Sequence, residues 1–215
     1  DQTIHPAVLT AVEPAFGPGW ILLARTPKGP SEERVLGTRT VLISLENTPV
    51  ERLQRAAAET LNQFDRDASA SPAERARRSL TVAQRTLGET AAIGIVALSR
   101  NEVVVARTAG IAIAARRQTG GQIATIMLPD DVPGSTSPTL ERGGISATRL
   151  SMLPEDRVAI AMTADDAKRT VRARTPASGS FLPLNYPAAL LEILPPVRKA
   201  APRVASSPDT LITVP

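Results

Sequence analysis

The sequence predicts an α+β protein, an antiparallel β-sandwich flanked by helices in an αββα arrangement. Three observations carry this expectation. Two segments, opening near Thr48 and Ser71, combine helix-start residues with apolar residues three and four apart. Short runs of β-branched and aliphatic residues, separated by Gly, Pro and Asn, fill residues 91–163. The order of strands, then two helices, then strands again suits helices packed on stacked sheets. The chain is 42% hydrophobic but only 2% aromatic, so its core must be built of Ala, Val, Leu and Ile.

Residues 1–19 read as a loop, punctuated by Pro6, Pro14, Gly17, Pro18 and Gly19. Trp20–Arg25 reads as a strand, Arg34–Gly37 as a short one and Arg39–Leu45 as a stronger one. In the first helix, Thr48 is expected to cap, with Pro49 at the first helical position and Glu51 completing a capping box. Leu53, Ala57, Leu61 and Phe64 line its buried face, and the helix should end near Asp65. Ser71-Pro72-Ala73-Glu74 repeats the start signal for a second helix buried through Leu80, Ala83 and Leu87. Its Arg75, Arg77, Arg78 and Arg85 are expected mostly to face water.

The centre reads as a β-meander. Ala91–Leu98 is apolar enough to be buried on both faces; Glu102–Arg107, Gly110–Arg116 and Gln122–Leu128 follow across short turns. Residues 129–144 form a loop, Ile145–Leu150 and Arg157–Thr163 are two further strands, and Asp165–Arg174 is a short helix with an acidic start and a basic end. Eight of the 19 prolines fall in residues 176–215. That tail reads as extended, except for two helical turns over Pro187–Leu194 and a possible edge strand at Leu211–Val214. The expected organisation is an extension over 1–19, a sandwich domain over 20–175 and a Pro-rich tail over 176–215.

Composition excludes much chemistry. Without cysteine there is no disulfide, thiolate nucleophile or Cys-bound metal. The single histidine, His5, makes a Ser-His-Asp triad or a multi-histidine metal site improbable. The net charge of +4 comes from 22 arginines and 3 lysines against 21 acids, mixed along the chain. With so few aromatics to stack on bases, these arginines read as solvated surface, and no nucleic-acid partner is expected. No apolar run reaches the length of a membrane span. No signal peptide is visible, and a cytoplasmic location is expected. A chain beginning at Asp1 is expected to be trimmed or a fragment.

At its centre the sequence resembles the metal-dependent Ser/Thr protein phosphatases of type 2C. Gly88-Glu-Thr-Ala91 followed by IGIVAL, then EVVVARTAG and IAIAARR, is similar to that family's Gly-Thr-Thr-Ala entry to a buried strand and its hairpin return reading Val-Ala-Asn-x-Gly-Asp-Ser-Arg. LPEDRVAIAMTADDAKRTV looks like the segment that delivers a Ser-Asp-Gly, and RTVLISLENTPVERLQRAAAETL like the strand ending in Asp-Gly before the first long helix. The resemblance covers roughly residues 20–175 and rests on order, spacing and hydrophobic pattern. It implies a β-sandwich with two divalent metals held by aspartates at strand ends, activating a water that attacks phosphorus.

The departures are informative. Glu46-Asn47 stands where Asp-Gly is expected, Ala109-Gly110-Ile111 where Gly-Asp-Ser is expected, and Asp165-Asp166 offers carboxylates with Asp in the glycine place. No Arg-x-x-Asn-Glu-Asp stretch occurs near the first strand. The resemblance then implies a pseudophosphatase: no catalytic residue, no bound metal or other cofactor, and a role in binding or regulating a protein partner. If the chain is active instead, Glu46, Asp165 and Asp166 are the ligands and Mn or Mg the metal. Each has a plain structural reading too: Glu46 as a surface residue at a strand end, Asp165 and Asp166 as helix-start acids, Asp130 and Asp131 as a solvated turn. Two other readings stay open. An N-terminal-nucleophile hydrolase needs Thr, Ser or Cys at the mature N-terminus, and Thr3 would have to be exposed by trimming. An assembly subunit would dock onto neighbours, and form an oligomer, through residues 176–215.

Overall fold

The computed structural model describes residues 6–7, 15–25, 38–67, 69–99, 102–119, 121–128, 140–142, 144–153, 155–173 and 186–193. The expected strand at Arg34–Gly37, His5, Asp130, Asp131 and the tail beyond Ile193 lie outside them. The described strands are β1 (Pro6–Ala7), β2 (Ala15–Gly17), β3 (Trp20–Arg25), β4 (Thr38–Ser44), β5 (Ala92–Ser99), β6 (Glu102–Arg107), β7 (Ala112–Thr119), β8 (Gln122–Leu128), β9 (Leu140–Arg142), β10 (Ile145–Ser151), β11 (Arg157–Ala161) and β12 (Ala188–Ile193). The helices are α1 (Val50–Arg66), α2 (Pro72–Leu87) and α3 (Ala164–Arg172). Among these residues the larger sheet runs β2-β3-β4-β5-β6-β10-β9 and the smaller β1-β12-β11-β7-β8, all pairings antiparallel.

Strands without polar alternation need cover on both faces, and the layering supplies it. Ile21, Val41, Ile43, Ile93, Ile95, Val104 and Ala106 pack under α1 and α2. Their neighbours Leu22, Leu42, Val96, Leu98, Val103 and Val105 face the smaller sheet, meeting Ile113, Ala115, Val158, Ile160 and Leu191. On the outer side of that sheet, α3 lies on Ala112, Ala114, Ala159, Ala161 and Ala188. This is the expected helix–sheet–sheet–helix α+β architecture. Gly94 sets the closest approach of the sheets: a Cβ there would stand 2.6 Å from Ile111 Cγ2 and 2.9 Å from Ile160 Cδ1.

Both long helices bury the faces expected of them, including Leu53, Ala57, Leu61 and Phe64 on α1 and Leu80, Ala83 and Leu87 on α2. Ser71 caps α2 by accepting from the Glu74 amide. The predicted capping box of α1 does not form. Thr48 Oγ1 donates instead to Glu46 O at 3.3 Å, Pro49 occupies the N-cap, and no side chain caps this end.

Several other expectations are corrected. Residues 1–19 contain β1 and β2, because Pro6–Ala7 pairs with β12 and Ala15–Gly17 closes a hairpin with β3. The meander is broken after β6: the chain crosses at Thr108–Ile111 to the other sheet, where β7 pairs with β8 and β11. The loop at 129–144 includes β9. The helical turns expected over Pro187–Leu194 are replaced, among the described residues, by the strand Ala188–Ile193 between β1 and β11, with Ala188 and Leu190 facing α3 and Ala189 and Leu191 facing the larger sheet. The arginines are not all surface. Arg39 is 1% exposed, with Nε 2.7 Å from Asp65 Oδ1 on α1, and Arg25 reaches Asp65 at 3.3 Å. Arg75 is half-buried, its guanidinium 4.6 Å from the Phe64 ring centroid while Nε and Nη2 donate to Phe64 O. Among the described residues, no helix is long and apolar enough to cross a membrane.

Candidate functional site

The resemblance places its chemistry at strand ends, and those ends meet at one end of the sandwich. Ser44, the last residue of β4, pairs with Ala92, the first of β5. Ala92 lies under the β6–β7 crossover, so that a Cβ on Gly110 would stand 2.9 Å from Ala92 Cβ. Gly110 and Ala164 then share a cleft of about 320 Å³ with Arg107, Ile111, Ala112, Met127 and Met162. Glu46 is thus two residues past a strand that borders this cluster, and Asp165 one residue past the cleft wall.

The local backbone explains each position. Asn47 has φ 54°, the left-handed region, which Asn tolerates better than most residues. This is the conformation a glycine after Glu46 would favour. Glu46 is exposed, and its turn is tied down by Leu45 N donating to Gly19 O at 2.7 Å. Gly110 has φ 84°, which disfavours a side chain, and Ala92 occupies the space that side chain would need. The crossover, Thr108–Ile111, carries no carboxylate. Thr108 anchors it: its hydroxyl accepts from Ile93 N at 2.9 Å, and its amide donates to Ile93 O at 2.9 Å.

At the third position, Thr163 is the N-cap of α3, accepting from Asp166 N at 3.1 Å while its hydroxyl donates to Asp166 Oδ2 at 2.7 Å. The Asp166 carboxylate therefore serves the start of its helix, with Arg169 Nη1 3.9 Å from its other oxygen. Asp165 is exposed in the same first turn. Among the described residues no three His, Asp or Glu side chains are grouped so as to hold a metal ion. A two-metal centre needs several convergent carboxylates; this donor set of one exposed Glu, one exposed Asp and one engaged Asp does not fit it.

The cleft itself holds residues that the motif reading passed over. Arg107 ends β6 and donates from Nε to Leu128 O at 3.3 Å and from Nη1 to Ile111 O at 3.4 Å. A guanidinium in this position bridges the two sheets. Met127 and Met162 make the remaining wall flexible and apolar. The only sequence signal for Arg107 is a charged residue closing an otherwise apolar strand, EVVVAR.

No protein-family profile and no curated protein matches the chain. Among solved structures, the phosphatase domain of the cell fate determinant SpoIIE from Bacillus subtilis is similar at TM-score 0.49 and 9% identity, over 94% of this chain and 92% of that one. The PP2C domain of SiaA from Pseudomonas aeruginosa is similar at 0.47 and 12%, over 82% and 80%. The serine/threonine phosphatase PstP of Mycobacterium tuberculosis is similar at 0.46 and 10%, over 82% and 99%. At these TM-scores and identities, nothing about this chain's chemistry or partners follows from the likeness.

Proposed function

We propose that this chain is a catalytically silent domain of the type 2C phosphatase kind that works by binding a protein partner. The observation that carries the reading is the β6–β7 crossover. Where the resemblance calls for a metal-binding aspartate, the chain has Gly110, in a left-handed conformation that disfavours a side chain and with Ala92 Cβ 2.9 Å from where a Cβ would stand. The engagement of Asp166 by Thr163 and the cationic Arg107 in the adjoining cleft support it. On this reading residues 20–175 form the sandwich body, and the flanking segments each return a strand to its smaller sheet, Pro6–Ala7 and Ala188–Ile193.

The purified chain should release no phosphate from a phosphomonoester in the presence of manganese, and titration calorimetry should register no manganese binding at millimolar concentration. Robust turnover that is abolished by Asp165→Ala would reverse the conclusion. It would make Glu46, Asp165 and Asp166 the ligands of a divergent active enzyme.

A further inference from the structure

Several cations of this protein are neutralised by neighbouring carboxylates. Arg77 and Arg78 hold Glu74, Arg78 also holds Asp67, Arg117 holds the buried Asp156, and Arg149 holds Glu102. Others are not, and three of these stand together. Arg116 on β7, and Lys168 and Arg172 on α3, have no carboxylate within ion-pair distance among the described residues. Arg116 lies directly opposite Thr125 of β8, and Arg172 Nε donates to Thr125 Oγ1 at 3.2 Å. Lys168 precedes Arg172 by one turn on the same helix. On the other flank of Arg116, β11 presents Arg157 in register, whose Nη1 donates to Ala173 O at 2.7 Å. Like charges directly opposite on adjacent strands are destabilising; Glu192 of β12 stands opposite Arg157 in turn, so the acid of this row lies on the far side from β8.

The cluster borders a sheet edge. β8 is the outermost strand of the smaller sheet. It pairs with β7 without a bulge over its whole length, QIATIML, and contains no charge and no proline. Exposed edges are ordinarily guarded by lysine, proline, bulges or a covering segment. None of these devices is found on β8 among the described residues. Gln122, Ile123 and Ala124 are exposed, and Ile123, at 56%, is the most exposed large hydrophobic residue described.

We propose that β8 is a docking edge for an extended acidic segment of another protein. The segment adds as a further strand beside β8, its backbone satisfying the outward amides and carbonyls. Alternate side chains on the α3 side carry carboxylates to Arg116, Lys168 and Arg172. Residues on that side of β8 are Ile123, Thr125 and Met127, so the partner's strand has apolar contact at one end and ionic contact at its middle. A second copy of this chain fits poorly, because antiparallel pairing of two β8 strands centred on Thr125 would bring two Arg172 side chains together. This surface is separate from the strand-end cleft, and the proposal stands or falls independently of catalytic silence.

The test uses the full chain and a peptide of alternating glutamate and valine matched to β8 in length, with a lysine–valine peptide and a single-stranded oligonucleotide as controls. Fluorescence anisotropy should detect the acidic peptide and not the lysine peptide, with affinity falling severalfold between about 50 and about 300 mM salt. Amide exchange should slow within residues 122–128 on binding. Arg172→Glu, an exposed position, should weaken binding about tenfold while Arg172→Lys retains most of it. Four results would each overturn the proposal: no binding of the acidic peptide, equal binding of the lysine peptide, protection confined to other strands, or equally tight binding of the oligonucleotide. Concentration-dependent protection of β8 without peptide would overturn it as well, by making the occupant a second copy.

Discussion

The two helical layers of this protein cover their sheets in different ways. α1 and α2 bury Leu53, Leu61, Phe64, Leu80 and Leu87 against Val41, Ile43, Ile93 and Ile95. α3 buries Ala167, Thr170 and Val171, and the surface beneath it is a floor of alanines with Leu190. The first layer gains stability through apolar area, at about 25 cal/mol per Å² removed from water. The second has less area to gain, and its alanines let α3 lie close to the strands. The difference teaches that one layer should be vulnerable to lost volume and the other to added volume.

The comparison can be broken most sharply at Asp65. This residue ties α1 to the larger sheet through the buried Arg39, and no such buried ion pair is described under α3. Asp65→Ala takes a carboxylate away from an arginine that is 1% exposed and should cost about 3–5 kcal/mol, read from the urea midpoint. Next is Leu80→Ala, which opens a cavity in the helix-pair layer and should cost about 2–5 kcal/mol. Under α3 the informative change runs the other way: Ala159→Leu should cost about 1–3 kcal/mol by overpacking. If Ala159→Leu were neutral, the alanine floor would not be a close-packed surface. Smaller again are the caps. Ser71→Ala on α2 and Thr163→Ala on α3 should each cost about 1 kcal/mol, whereas Thr48→Ala, whose hydroxyl caps nothing, should lie within a few tenths.

The smallest effect is a pH dependence confined to the first layer. The side-chain hydrogen bond from Arg77, reinforced by Arg78, lowers the Glu74 carboxyl from 4.5 to about 2. A depressed carboxyl binds its proton more readily in the unfolded chain. Its contribution is therefore complete above pH 4.5 and disappears as pH falls towards 2. Because Glu74 is only partly buried, the effect is modest. Glu74→Gln should flatten that part of the stability profile; an unchanged slope would show that other carboxylates set it.

Much of the local structure was legible beforehand. Trp20–Arg25 is a strand with the predicted bounds, and the apolar spacing of α1 and α2 identified their buried faces. The continuous run from Ala91 to Leu98 signalled a strand covered on both sides, which β5 is. Other features were illegible for particular reasons. The start of α1 differs from the expectation because the Thr48 hydroxyl donates back to Glu46 O across the turn at Glu46 and Asn47 and does not accept from a helix amide. Arg39 looked like any other arginine, since nothing local distinguishes a strand arginine facing water from one facing Asp65. At the strand ends, the missing carboxylate at Gly110 was visible as a residue type. That Ala92 fills the space, and that Arg107 lines the cleft beside it, was not.

The sequence by itself determined what is local: where hydrophobic periodicity changes from 3.6 to 2, where glycine permits a left-handed turn, and which carboxylates are absent. The tertiary structure alone decided the partition of strands between sheets. A strand buried on both faces has the same pattern in either sheet, so nothing in EVVVAR or IAIAAR says that the chain changes layers between them. It also decided which end residues become neighbours, because contacts such as Gly110 with Ala92 and Arg172 with Thr125 join residues far apart in the chain through the register of the sheets.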